Sequence, residues 1–334
     1  MMGSWLCDKL IEKGHSVIGV DNLSGGLKEN INDKVEQWYD DLRDEKAVNK
    51  ILDYYYNNGK IDALFHLAAD ATEGRSQFTP KFCVENNTVA FVNLAKAAIK
   101  TKVPYWIVAS SMACYGDQKS PFDESLPRNP VDVYAWCKSS IEGMTEIFSD
   151  VYDFRYTIIR PHNLVGKRQF LYDSARNVLA IWVNCLLRDK NYFVYGDGSH
   201  VRSWSYLGDV IDAMVNCLDR DVHGQIINLG AKTPNTLNEL SVMVREEFEK
   251  VTGKKTPDPV YLQDRPREVA VAYSTVQKSI DLLGYKETKT LREAVREFIE
   301  WAYKKYPYGV KPVYSVPLEL VNEKTPRTWV DQLI

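Results

Sequence analysis

Four short runs in this chain are almost continuously apolar: "SVIGVD" (16–21), "DALFHLAA" (62–69), "YWIVASS" (105–111) and "YTIIRP" (156–161). Between them lie stretches of helical period, among them "NTVAFVNLAKAAIK" (87–100) and "SSIEGMTEIF" (139–148). A strand without polar alternation is buried on both faces, so repeated βα alternation of this kind predicts a parallel sheet covered by helices on either side. The first run is preceded by an amphipathic helix with Leu6, Leu10 and Ile11 on one face, closed by Gly14, and it ends on Asp21. Helix, buried strand and terminal acid in that order form the second half of a dinucleotide-binding βαβ unit. In a complete unit an apolar strand and a glycine-rich turn come first, and their backbone N–H groups hold a pyrophosphate.

The expectation at this point is a sheet that lacks its first strand. The neighbouring strands would then expose unpaired N–H and C=O groups, so the chain as written should fold poorly or bind its dinucleotide weakly. An added apolar strand with a Gly-x-x-Gly turn should restore both.

Past Pro161 the sequence changes to loops rich in Asn, Arg, Tyr and Gly ("HNLVGKRQFLYDSARN", "YGDGSHVRSW"), with a return to strand in "QIINLG". That mixture predicts a smaller domain, partly interleaved with the first, that closes over a polar ligand. The expected division is a dinucleotide-binding domain over 1–161 with about 204–230, and a smaller domain over 162–203 and 231–305. Residues 306–334, rich in Pro and aromatics, suggest no chemistry.

Bulk properties narrow the partners. The 334 residues carry a formal charge of −3 and are 45% apolar, with no basic excess and no basic cluster of the kind nucleic acid or an anionic membrane requires. Asp8, Lys9, Glu12 and Lys13 interrupt the N-terminal helix, which therefore reads as neither signal peptide nor membrane span. The six cysteines form no C-x-x-C pair, which argues for reduced, mostly buried thiols in a cytosolic protein and against a zinc site.

The chemistry begins with a Tyr-x-x-x-Lys spacing, which places a phenol and an ammonium one helical turn apart; the cation favours the phenolate and lets the tyrosine act as general acid and base. The chain contains this spacing four times: Tyr56/Lys60, Tyr115/Lys119, Tyr134/Lys138 and Tyr285/Lys289. Only "DVYAWCKSSIEGMTEIF" continues as a helix of proper period, with Pro130 and Asp132 at its start, so Tyr134 and Lys138 are the candidates. Ser110 and Ser111 end the strand "YWIVASS" at the edge where open α/β sheets place ligands. Read alone they are strand-end caps; beside a Tyr–Lys pair, a hydroxyl that orients a substrate oxygen towards Tyr134 is the better reading.

Taken together, "VDNLSGG", "HLAA", "VENNTVAFVNLAKAA", "ASSMACYG", "YAWCK", "RPHNLVGKRQ" and "VYGDGSHVRSWSYLGDV" resemble, in order and spacing, the nucleotide-sugar epimerases of the extended short-chain dehydrogenase/reductase family. The resemblance runs from Gly3 to about Trp301. It implies a Rossmann-type doubly wound α/β sheet with a smaller mixed domain for the substrate, NAD as cofactor, a nucleotide sugar as substrate and a homodimer built on "NTVAFVNLAKAAIK" and the helix from Tyr134. Gly3 aligns with the third glycine of the phosphate turn. Asp21 and Asn22 would bind the adenosine ribose, Asp41 and Leu42 would flank the adenine, and Ala68 and Ala69 would line the phosphates. Asn87 would lie beneath the nicotinamide, and Ser111, Tyr134 and Lys138 would carry catalysis.

The resemblance further implies that Asn163 and Asn177 hold the sugar nucleotide and that Arg202 and Arg265 grip its diphosphate. Two guanidinium forks from separate loops suit that group, although either could be a surface ion pair. Asp21 would meet a 2′-phosphate with a carboxylate, so NAD is expected over NADP. Dehydratases of the family follow the catalytic hydroxyl with Asp-Glu, and the decarboxylases keep a glutamate there; Met112 and Ala113 cannot transfer protons. Epimerisation is therefore expected over elimination or decarboxylation, with a non-catalytic binding protein as the alternative of another class. Aligning "REVAVAYSTVQKSIDLLGY" puts Ala272 where a small residue admits N-acetylated sugars.

Overall fold

The computed structural model describes residues 1–334. Its main sheet is four parallel strands in the order Leu64–His66, Tyr105–Ala109, Arg155–Pro161 and Gln225–Leu229. Tyr105–Ala109 is buried at every position, which is why its sequence does not alternate. A second parallel pair, Ile18–Val20 with Glu36–Trp38, is not hydrogen-bonded to the main sheet. Instead, Ile18–Val20 and Leu64–His66 face a common cavity.

Helices cover both faces. On one side Val48, Ile51, Leu94, Ala98 and Ile141 pack with Trp106, Val108 and Ile158. On the other, Leu6 and Leu10 of the helix Met2–Glu12 pack with Ile107, Ile159, Ile227 and the helix Leu207–Asn216. The long helix Val133–Tyr152 starts where the sequence indicates, with the Asp132 carboxylate accepting the Ala135 N–H. The helical stretch from Pro80 to Lys100 contains one wide π turn, Glu85–Val89.

The second lobe has its own core of 22 buried residues, including Trp182, Phe248 and Phe298. Its centre is the strand Val201–Tyr206, paired with Pro234–Thr236, Val271–Ala272 and Asn163–Val165. Thr236 with Glu239 and Thr290 with Glu293 form capping boxes that start the helices Leu237–Thr252 and Leu291–Lys305. The stretch 231–305 divides between the lobes, because Leu283 and Tyr285 pack with the Rossmann side rather than with this core.

Residues 306–334 strap the two lobes together. Val310 and Ile334 join the second core, while Glu319 accepts the N–H groups of Lys81 and Phe82 in the first lobe. Trp329 packs edge-on against Phe78.

Candidate active site

A cavity of about 1660 Å³ runs from the N-terminal ends of the strands, at Ser16, Asp62 and Tyr105, through the gap between Ile18–Val20 and Leu64–His66, to their C-terminal ends, where open α/β sheets receive ligands. Gly3, Asp21, Asn22, Asp41, Leu42, Ala68, Ala69, Ser111, Tyr134, Lys138, Asn163 and Asn177 all line it. At one end the Asp21 carboxylate accepts the Leu23 N–H through Oδ1. Asn22 donates to Asp41, whose carboxyl Arg43 pulls down to about 2. The structure also brings Arg176 to this end, donating to the Gly25 carbonyl, a neighbour that the local sequence does not disclose.

At the other end lie Ser111, Tyr134 and Lys138. Ser111 accepts the Ala113 N–H and thus caps the short turn Met112–Tyr115, while its hydroxyl is close enough to Tyr134 to draw the phenol's pKa down. The strand-end cap is therefore also a neighbour of the tyrosine. The Lys138 ammonium donates to the Ala109 carbonyl at 2.7 Å and lies 6.0 Å from the centre of the Tyr134 ring.

The electrostatics differ from the sequence expectation. Burial, with the Glu73 carboxylate next in importance, holds the Tyr134 phenol well above its ordinary pKa, and Lys138 does not offset this while it is turned to Ala109. Burial also brings Lys138 itself down to about 8. The folded protein thus loses this proton before the unfolded chain does, near 10.4. The cost of burying the ammonium is fully present below pH 8 and is relieved between about pH 8 and 10.5. The stability of wild type relative to Lys138→Met in cofactor-free protein should accordingly rise across that window, by about 3 kcal/mol. Denaturant titrations at pH 7.5 and 10 check this; a flat difference would contradict it.

Four residues that the resemblance implicates lie off the main cavity. Asn87 is fully buried behind the cavity wall and donates to the Asp70 and Cys83 carbonyls, Asp70 itself lining the cavity. Arg202, Arg265 and Ala272 also lie off the main cavity. Both arginines instead bond Glu268, at 2.9 and 2.7 Å. Burial opposes ionisation of Glu268, but Arg265 and Arg202 overcome it and hold its pKa down. Ala272 pairs with Arg202 across adjacent strands and lines a side compartment of about 30 Å³ with Met112, Phe122, Asp132 and Glu268.

Glu73 borders the main cavity and the side compartment alike. The strap contributes Val313, Ser315 and Val316 to the main wall. His66, buried at the end of its strand with both ring nitrogens unpartnered, is held neutral by burial, its pKa lowered to about 3.

The other three Tyr–Lys pairs fall elsewhere. Tyr56 is exposed; Tyr115 is buried with its hydroxyl donating to Asn228; Lys289 pairs with Glu297, away from the cavity.

The cavity suits an NAD molecule. Asp21 offers a carboxylate at the strand end, Ala68 and Ala69 present no bulk, the face of Gly3 is open except for Leu67 at 3.9 Å, and His66 carries buried polar atoms without protein partners.

Comparison with known proteins agrees. Residues 1–230 match the family described as "NAD dependent epimerase/dehydratase family". The UDP-glucose 4-epimerase of Mycolicibacterium smegmatis is 29% identical over 90% of this chain and 95% of its own. The crystal structure of a Thermotoga maritima UDP-glucose 4-epimerase with UDP-glucose is 30% identical, covers 91% of this chain and 96% of its own, and superimposes with a TM-score of 0.83. A Methanobrevibacter ruminantium UDP-N-acetylglucosamine 4-epimerase, in complex with UDP-N-acetylmuramic acid, is 27% identical over 91% of this chain and 96% of its own, with a TM-score of 0.81. With residues 1–230 matched by the family and nine tenths of its length aligned with such enzymes, this chain belongs to the NAD-dependent epimerase/dehydratase family.

Proposed function

We propose that the protein is an NAD-dependent nucleotide-sugar 4-epimerase acting on a UDP-hexose. The observation that carries this is the convergence of Ser111, Tyr134 and Lys138 at one end of a cavity whose other end holds Asp21 and Asn22. Asp21, Asn22, Ala68, Ala69 and Gly3 would hold NAD, with Asp41 and Leu42 beside its adenine. When bound, NAD supplies the acceptor, and then the donor, of a hydride at the sugar carbon.

The chain's own residues do the rest. Ser111 orients the sugar 4-hydroxyl, the Tyr134 oxygen takes its proton, and Lys138 supplies positive charge one helical turn away. Asn163 and Asn177 hold the sugar nucleotide. Arg202 and Arg265 would grip the diphosphate by exchanging their bonds to Glu268 for it. Inversion needs no second acid, since Tyr134 can return the proton after the ketosugar has turned its other face. Met112, buried against Tyr115, Phe122 and Ala272, supplies no proton for elimination.

Purified protein given NAD and UDP-glucose should yield a product of the same mass with inverted configuration at carbon 4, and the same experiment with UDP-N-acetylglucosamine tests the room beside Ala272. A product lighter by one water would contradict epimerisation, and the absence of both turnover and bound NAD would favour a non-catalytic protein.

A homodimer is part of the proposal. Val84, Val89 and Val92 on one helical stretch, and Trp136, Ile147 and Val151 on the neighbouring helix, are exposed apolar residues. Light scattering should give twice the chain mass for wild type and the chain mass for Trp136→Asp; a monomeric wild type would contradict the pairing. No helix is long and apolar enough to cross a membrane, and the six free thiols suit the cytosol.

A further inference from the structure

Glu73 opens the four-residue helix Glu73–Ser76 and is held beside the catalytic tyrosine: the Ser76 hydroxyl donates to the Glu73 carbonyl and accepts the Tyr134 N–H. The next residue, Gly74, lies so close to Arg265 that a Cβ there would sit 3.0 Å from its guanidinium. Glu73 therefore stands between the proton-transfer group and the diphosphate arginines, the span that the hexose must occupy. Its carboxylate has no ion pair: Arg202 and Arg265, the nearest cations, are both engaged by Glu268. The mechanism above makes no use of it.

We propose that Glu73 is a specificity residue that lets the sugar pocket accept neutral hexoses and reject hexuronates, through the repulsion its carboxylate exerts on a second carboxylate in the same pocket. The inference rests on the nucleotide-sugar reading of the site. A hexuronate carries its carboxylate on the carbon next to carbon 5, one atom beyond the ring position adjacent to the reacting carbon. A ring that spans Tyr134 and the arginines would pass Glu73, which borders both compartments, and would bring that charge towards it. Like charges at such range in a cleft of low effective dielectric repel strongly, and salt screens a buried pair little. Glu73 already perturbs its surroundings in this sense, since its charge, after burial, is the chief cause that raises both Tyr134 and Asp132. A neutral hydroxymethyl group at the same position meets instead a hydrogen-bond acceptor.

The test is titration calorimetry on NAD-loaded protein with UDP-glucose and UDP-glucuronate, for wild type, Glu73→Gln and Glu73→Val. The quantity read is the ratio of the two dissociation constants, which is independent of any common change in affinity. Wild type should favour UDP-glucose at least tenfold, and each variant should shrink that preference at least tenfold. A wild type without preference, or a preference unchanged in the folded variants, would overturn the inference while leaving the nucleotide-sugar reading intact. Failure of wild type to bind either compound would overturn both. Should neither variant fold, the ratio is read on wild type as pH is lowered: burial raises the Glu73 carboxyl above its ordinary range, so a preference that does not shrink with falling pH would overturn the inference, and one that shrinks supports it.

Discussion

Replacing Tyr134 by Phe should lower kcat by about 10²–10⁴, the range over which a positioned general acid–base contributes, while UDP-glucose binding changes little. The ring packs against Cys83 and Cys137, and phenylalanine keeps that contact while removing only the proton-transfer oxygen. The equivalent change at Tyr115 acts differently. Its hydroxyl donates to Asn228 Oδ1 at 2.8 Å in the interior, so Tyr115→Phe should cost about 1 kcal/mol of stability and spare kcat. Steady-state kinetics with calorimetry separates the two, and a greater loss of kcat in Tyr115→Phe would show that the wrong tyrosine has been assigned.

The second large effect is on stability. Arg160 on the strand Arg155–Pro161 makes a two-pronged bond to Glu142 on the helix Val133–Tyr152, at 2.8 and 2.6 Å, with both side chains almost wholly buried. The Arg160 guanidinium also lies over the Tyr115 ring, 4.5 Å from its centre. Glu142→Ala would strand a buried cation, which typically costs about 3–5 kcal/mol. The pair lies one turn beyond Lys138, so it fixes the catalytic helix against the sheet. Replacing both partners, as Glu142→Leu with Arg160→Met, should recover most of the loss, because no unpaired charge remains. Denaturant unfolding reads both; a cost below 1 kcal/mol for Glu142→Ala would contradict this assignment.

Where the sequence carried a period or a cap, it was legible. The buried strands, the Asp132 start of the helix Val133–Tyr152 and the position of Tyr134 and Lys138 on its first turns all follow from local signals that the fold keeps. The burial of Asn87 is hidden in the sequence because a π turn departs from the 3.6-residue period. Tyr134's acidity was misjudged because spacing reveals Lys138 but neither the depth of burial nor Glu73. Glu73 itself lies in a helix too short to show periodicity, and its importance comes from contacts with residues far along the chain. The same holds for Glu319 and Val313 in the strap, whose Pro-rich, aperiodic sequence gives no hint that it closes the cleft.

In the proposed reaction one hydride leaves and returns to the same sugar carbon while Tyr134 handles the proton. UDP-glucose deuterated at carbon 4, incubated with the NAD-loaded protein in ordinary water, tests it most directly. The expected product is a 4-epimer that retains the deuterium at carbon 4, with no net reduced cofactor. Deuterium lost to water, or a product that has shed water, would contradict it.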